Sequence, residues 1–372
     1  MADAQVQART PDALTLEITD QLQQMFDARS QQAVAHGPEF LALWQLTAQS
    51  ALGGKLLRPR LLIGTFDALT GGPSRPTDGR AVALELGAAI ELLHFSFLLH
   101  DDLIDDDLIR RGVPNLIGHL AAGSDPAPTP TQRPALPGER RLHWARSGAL
   151  LAGDLMLTIA HQVFARARLA DDQRLRILDL LDAAVTETVA GEFCDVSLAD
   201  GYLSAELSVV LDMTRMKTAA YTFELPLRVG AVVAGSPPET EVRLGQVGRH
   251  LGIAFQLQDD LLSAFECSDT HGKDQYSDFR EGKETALIAY ARGTESWSHI
   301  EPLLGAHDFT DDMGRAIQRR LTACGARQQV EAMAQDQISA ALELLTRDDG
   351  VIPSGASRYL VELVEALDGR RV

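Results

Sequence analysis

At 372 residues and 45% hydrophobic, the chain can bury a large core, and its low aromatic content of 5% beside a Leu- and Ala-rich apolar set favours helices over sheets. A formal net charge of −18 disfavours nucleic-acid and membrane-surface roles, so a small anionic ligand would need local cations or metal ions. Cys194, Cys267 and Cys324 give neither a disulfide framework nor a zinc spacing, the polar N-terminus has no signal pattern, and no apolar run reaches the ~20 residues of a spanning helix, so the expectation is a cytoplasmic protein without a transmembrane segment.

Residues 1–12 read as a flexible start, and "ALTLEITDQLQQMFDARSQQAV" follows with amphipathic helical spacing. "GGKLLRPRLLIGTFDAL" opens on two glycines and continues as a helix with Pro59 in its first turn, which would put Lys55 and Arg58 on one helical face. Beyond the turn-rich "TGGPSRPTDGR", Ala81 to Arg111 contains no proline and one internal glycine, Gly87. This predicts one helix of roughly 45 Å, stopped by Gly112 and Pro114. Residues 121–141 hold five prolines and read as a surface insert. Four long helical patterns follow, with no composition shift and no fixed-period repeat. Residues 13–372 are therefore expected to form a single all-α domain, a helical bundle around a central cavity.

The stretch "LLHDDLIDDDLIRRG", Leu98 to Gly112, packs five aspartates into seven residues, with two arginines behind them. On a helix, Asp101 and Asp105 would stack on one face with His94 seven residues below Asp101, and Asp102 and Asp106 would form a neighbouring pair. Like charges at that spacing repel, and a divalent cation relieves the repulsion. Hard carboxylate oxygens without Cys or clustered His point to Mg2+ rather than zinc. Arg110 and Arg111, at the same helix end, suit anion clamps. A solvated acidic helix end would be the bland explanation, but "FQLQDDLLS", Phe255 to Ser263, repeats the aspartate pair at the end of another apolar run. Two such pairs suggest two carboxylate walls on one cavity. Cations for an anionic ligand recur as well: Lys55 and Arg58, Lys217 beside Thr218, and Lys273 and Lys283 in "HGKDQYSDFREGK".

Taken in order, "GGKLLRP", "ELLHFSFLLHDDLIDDDLIRRGVPN", "GDLML", "MKTAAYTFELP", "FQLQDDLL" and "GK…DFREGK" resemble the motifs of the trans-isoprenyl diphosphate synthases, or polyprenyl synthetases, from about Ala51 to Arg292. The likeness is to the short-chain type that includes geranylgeranyl diphosphate synthases. It implies the isoprenoid-synthase fold, an all-α bundle around a deep apolar cavity, as a homodimer. The implied reaction is 1'-4 head-to-tail condensation of isopentenyl diphosphate onto dimethylallyl, geranyl or farnesyl diphosphate. Carried over to matching positions, Asp101, Asp102, Asp105, Asp259 and Asp260 would hold three Mg2+, with Mn2+ as a substitute, on the allylic diphosphate. Arg110, Lys217, Thr218, Gln256, Lys273 and Lys283 would complete that shell, with Gln256 and Thr218 near the cationic carbon. Lys55, Arg58, His94 and Arg111 match the isopentenyl diphosphate site. Ser263 departs from the family, which has a third aspartate there, and this implies a weaker metal cluster.

Phe97 lies four residues before Asp101, so on a helix it sits about 6 Å deeper on nearly the same face. In the resembling enzymes a bulky aromatic there marks short products, and Ser96 beside it leaves some room. The expected product is geranylgeranyl (C20), with farnesyl (C15) next. A class I terpene cyclase or a head-to-head synthase would not account for "GGKLLRP", His94 and the second aspartate pair together. A ferritin-type di-metal bundle would need Glu-x-x-His ligands, which neither "LLHDDLIDDDLIRRG" nor "FQLQDDLLS" contains. The alternative from another class is a non-catalytic or regulatory subunit, supported by Ser263 alone.

Overall fold

A computed structural model of the chain describes residues 12–72, 78–110, 112–122, 138–266 and 275–368. The expected flexible start lies outside the described residues except for Asp12, and so does the Pro-rich insert except for 121–122 and 138–141. Among the described residues the fold is all-α, apart from one short hairpin that pairs β1 (Ile109–Arg110) with β2 (Val113–Pro114). The chain divides into two compact units, the first drawn from 1–60, 81–108 and 114–167, the second from 61–80, 109–113 and 168–372.

In the first unit, Asp12 starts α1 (Ala13–Ala35) by accepting the Thr15 N–H at 2.8 Å, which satisfies an orphan donor of the first turn. Arg60 pairs with the same carboxylate at 2.7 Å, and this hydrogen-bonded guanidinium, together with the Thr15 N–H, holds the Asp12 carboxyl down at about 2. α2 (Pro38–Ala51) begins on a proline, whose fixed φ suits a first helical turn. It packs Trp44 against Phe26 of α1, ring centroids 5.3 Å apart. α3 (Leu57–Thr70) cannot extend backwards, because Gly54 and Leu56 take φ values of +85° and +49°. Lys55 is therefore an exposed loop residue ahead of the helix, and the expectation that it shares a helical face with Arg58 does not hold.

α4 (Asp78–Ile104) stops seven residues before the predicted end at Arg111, so its 27 residues span about 40 Å. The Asp107 N–H bonds back to the Asp102 carbonyl at 2.9 Å across Asp106, whose φ is +58°, a Schellman-type stop. Continuing the helix would stack carboxylates at the negative end of its dipole, and aspartate is one of the few side chains that tolerate the left-handed conformation. Asp106 thereby leaves the face of Asp102, and the predicted stacked pair is replaced by an Asp106–Arg146 ion pair at 2.5 Å. α5 (Leu116–Ala122) and α6 (Gly138–Ala165) complete the unit, whose core joins Leu46, Leu99, Ile117 and Leu120 to a row of small residues on α6, Ala145, Ala149 and Ala152. Ser96 fixes α4 to α6 by donating its hydroxyl to the Gly153 carbonyl at 2.8 Å.

The second unit is built on α7 (Asp171–Ala199) and α10 (Pro238–Phe265). An unbroken run comprises α8 (Leu207–Thr214), a π-helical segment (Arg215–Glu224) and α9 (Leu225–Val233). α11 (Ser277–Glu281), α12 (Ala286–Arg292), α13 (Trp297–Ile300), α14 (Asp311–Ala323), α15 (Ala326–Thr346) and α16 (Ser354–Asp368) follow. Leu257 and Leu261 of α10 join Phe279, Leu287, Ile317 and Val330 in its core. Burial pushes the Glu241 carboxyl up, but Arg176 at 2.8 Å and Arg228 at 2.6 Å outweigh it and hold the group below its usual range.

Contrary to the expectation that no apolar run reaches spanning length, two helical stretches, Gly79–Ile104 and Gly138–Ala165, are long and apolar enough to cross a membrane by length and composition. In the first, 67% of the apolar window is buried inside the fold, as for a core helix.

Candidate active site

The first unit carries Lys55, Arg58, His94, Asp101, Asp102 and Asp105. The Asp105 N–H still bonds to the Asp101 carbonyl at 2.9 Å, so these two residues lie one turn apart as expected. Asp102 is buried, Asp101 half-buried and Asp105 exposed, so the three present a graded carboxylate wall at the helix end. Beyond it the chain is drawn together by Asn115, whose side-chain amide donates to the Asp107 carbonyl at 2.8 Å while its oxygen accepts the Gly118 N–H at 2.8 Å. The Asn115 N–H also reaches the Leu108 carbonyl at 3.0 Å. These bonds close the stem of the hairpin that bears Arg110. That arginine thus lies on β1 and not at a helix end, and Arg111 lies outside the described residues.

In the second unit the π-helical segment carries Lys217 and Thr218. Such segments have an extra residue in each hydrogen-bonded turn and occur mostly as short insertions at functional sites. Here it runs for ten residues, and glycines of both neighbouring helices make room for it. A Cβ on Gly191 of α7 would lie 2.3 Å from the Lys217 nitrogen, and one on Gly252 of α10 would lie 2.3 Å from the Ala219 Cβ. On α10 a polar chain follows: the Thr218 hydroxyl donates to Gln256 Oε1 at 3.1 Å, and Gln256 Nε2 donates to Asp260 Oδ1 at 2.8 Å. Asp260 is buried and Asp259 half-buried. Ser263 is also buried, its hydroxyl 3.5 Å from that of Ser277, the outer limit of a hydrogen bond. Lys283 follows the left-handed Gly282 that ends α11 and pairs with Glu281 at 2.8 Å. Lys273 lies outside the described residues.

Two residues that the sequence reading missed surround Lys217. Its ammonium donates to Asp195 at 2.6 Å and lies 3.0 Å from Glu192, both on α7. "GEFCD" is an ordinary helical segment in sequence, and only the packing of α7 against the π-helical run gives its two acids a role.

Among the described residues no three His, Cys, Asp or Glu side chains gather into a ready-made metal cage. Mg2+ is a hard ion that keeps several waters and binds through one or two carboxylates together with substrate phosphates. Carboxylates with solvent access occur in each unit taken by itself, Asp101 and Asp105 in the first and Asp259 in the second.

The sequence matches the polyprenyl synthetase family over residues 42–318. It is 32% identical over 315 residues to geranylfarnesyl diphosphate synthase of Aeropyrum pernix, covering 84% of this chain and 88% of that one. To geranylgeranyl diphosphate synthase of Methanosarcina mazei it is 29% identical over 295 residues, covering 79% of each. Among solved structures, geranylgeranyl pyrophosphate synthase of Corynebacterium glutamicum, complexed with isoprenyl diphosphate and magnesium, superposes with a TM-score of 0.84 at 28% identity, covering 97% of this chain and 99% of that one. The family is magnesium-dependent. The chain belongs to the polyprenyl synthetase family and is a trans-prenyltransferase.

Proposed function

We propose that the chain condenses isopentenyl diphosphate head to tail with dimethylallyl, geranyl or farnesyl diphosphate, and that its main product is geranylgeranyl diphosphate. The Thr218–Gln256–Asp260 chain carries the reading of the reaction: it fixes two oxygen-bearing side chains and ends on a buried carboxylate of the second aspartate pair. Ionisation of the allylic C–O bond leaves an allylic cation and a diphosphate anion. Arg110, Lys217, Lys273 and Lys283 are assigned to that diphosphate, where fixed positive charge stabilises the leaving group. Asp101, Asp102, Asp105, Asp259 and Asp260 would hold the magnesium, three ions in this reading and replaceable by manganese, which when bound adds charge stabilisation at the same oxygens. Gln256 and Thr218 supply oxygen dipoles to the cation. Lys55, Arg58, His94 and Arg111 orient isopentenyl diphosphate so that its double bond attacks, and the departed diphosphate takes the final proton. Exclusion of water protects the cation from capture.

Phe97, half-buried and one turn before Asp101, supports a short product. Ser96 does not supply the room expected beside it, because it is fully buried and bonded to Gly153. Leu175, Val189 and Phe193 lie along one face of α7 and are 60%, 57% and 73% exposed, which supports assembly as a homodimer. The family match runs through both compact units, which supports a single synthetase domain.

The test is to incubate the purified chain with isopentenyl diphosphate, each allylic diphosphate in turn, and Mg2+, and to separate the dephosphorylated prenols by length. A predominant C20 alcohol that disappears with EDTA is expected. The absence of any metal-dependent prenol would refute the enzyme reading in favour of a non-catalytic subunit.

A further inference from the structure

We infer that Glu192 and Asp195 are positioning residues that hold the Lys217 ammonium where it meets the allylic diphosphate, an inference that rests on the reading of Lys217 as a diphosphate ligand. Lysine carries its charge on a flexible four-carbon stem, and fixing that stem on binding costs entropy. In this chain both ends of Lys217 are set by one stretch of α7. At the backbone end, the missing side chain of Gly191 admits the Lys217 main chain, since a Cβ there would lie 2.3 Å from its nitrogen and 2.8 Å from its Cα. At the other end, Nζ lies 2.6 Å from Asp195 Oδ2 and 3.0 Å from Glu192 Oε2. The two acids are three residues apart, one turn of α7, and so share a face. All three side chains are about one-fifth exposed, partly sheltered yet within reach of a ligand.

Electrostatics and positioning predict opposite signs here. The triad of one ammonium and two carboxylates sums to a single negative charge, so if charge alone mattered, neutralising either acid would tighten diphosphate binding. If the acids orient the ammonium, neutralising them loosens binding although a negative charge has been removed. The three donors of an ammonium have no fixed fork of their own, so their direction is set by their acceptors.

The experiment is a double-mutant cycle on the full chain with Asp195→Asn, Lys217→Met and the pair, repeated with Glu192→Gln. The readouts are calorimetric affinity for inorganic pyrophosphate in Mg2+ and the KM and kcat for geranyl diphosphate. Asp195→Asn is expected to weaken pyrophosphate binding about tenfold and to raise KM more than it lowers kcat, as loss of a charge-assisted hydrogen bond would. In the Lys217→Met background the same change is expected to have no effect on binding. Glu192→Gln, whose partner is farther away, is expected to act in the same direction with a smaller effect. Tighter pyrophosphate binding by Asp195→Asn, or an equal loss in both backgrounds, would overturn the inference. Unchanged affinity in Lys217→Met alone would also overturn it, while wild-type turnover would leave the assignment of the reaction intact.

Discussion

Replacing Gly252 with alanine adds one methyl group at the tightest contact between α10 and the π-helical segment. The new Cβ would lie 2.3 Å from the Ala219 Cβ and 2.4 Å from its Cα. Carbon atoms pack at ~3.5 Å or more, so the two helices must separate by roughly 1 Å, and no flexible side-chain end is available to yield. Overpacking of this kind costs ~1–3 kcal/mol, while alanine in a helix interior returns ~1 kcal/mol over glycine, leaving a net loss of about 0–2 kcal/mol. The consequence for turnover is larger, because Ala219 adjoins Thr218 and Lys217, and a misplacement of ~1 Å at reacting groups can cost about 100-fold. The assay pairs a thermal melt with kcat/KM for geranyl diphosphate at saturating isopentenyl diphosphate and Mg2+. A drop in melting temperature of a few degrees beside a loss of one to two decades in kcat/KM is expected. Gly355→Ala serves as a control, since its Cβ would meet only the Ala68 carbonyl oxygen at 3.9 Å, and it should retain activity. If Gly252→Ala kept wild-type kcat/KM, the claim that close glycine packing positions the π-helical residues would fail.

Three further outcomes are expected. Phe97→Ala should shift the prenol product beyond C20 by at least one five-carbon unit, and an unchanged length distribution on chromatography would show that Phe97 is core packing rather than a floor. Ser263→Ala should keep turnover to about twofold of wild type in a steady-state assay, because its 3.5 Å contact with Ser277 is at the weak limit of a hydrogen bond. Asp12 has its carboxyl lowered from 3.8 to about 2 by Arg60 and the Thr15 N–H, so the stability it contributes is present above pH 4 and is lost as pH falls through 2. Denaturant midpoints of wild type and Asp12→Asn should therefore differ at pH 5 and converge toward pH 2, and a constant gap would contradict the pairing.

The long helices and the order of the motifs were legible because periodicity, prolines and glycines are local signals. The places where the reading failed are set by interactions that lie elsewhere. The end of α4 looked continuous because the run holds no proline, and no glycine between Gly87 and Gly112, yet crowded carboxylates and the left-handed Asp106 stop it at Ile104. Lys55 looked helical because it stands three residues from Arg58, but the positive φ of Leu56 separates them. The π-helical segment has no compositional signature at all. Its shape depends on glycines roughly 25 residues before it and 30 after it, and the partners of Lys217 are likewise fixed by packing.

That segment also constrains how the gene can change. Each of its turns holds one residue more than an α-helix, so deleting one residue between Arg215 and Glu224 would let the helix relax into ordinary geometry without breaking its hydrogen bonds. The flanking α8 and α9 would keep their register, but side chains inside the segment would be turned from their present directions by up to about a quarter turn. Lys217 and Thr218 would then face a different neighbour from the one that Gly191 and Gly252 leave room for. The orientation of this part of the site is thus encoded in a residue count as much as in residue identity, and point substitutions on its outer face should be tolerated where single-codon deletions are not.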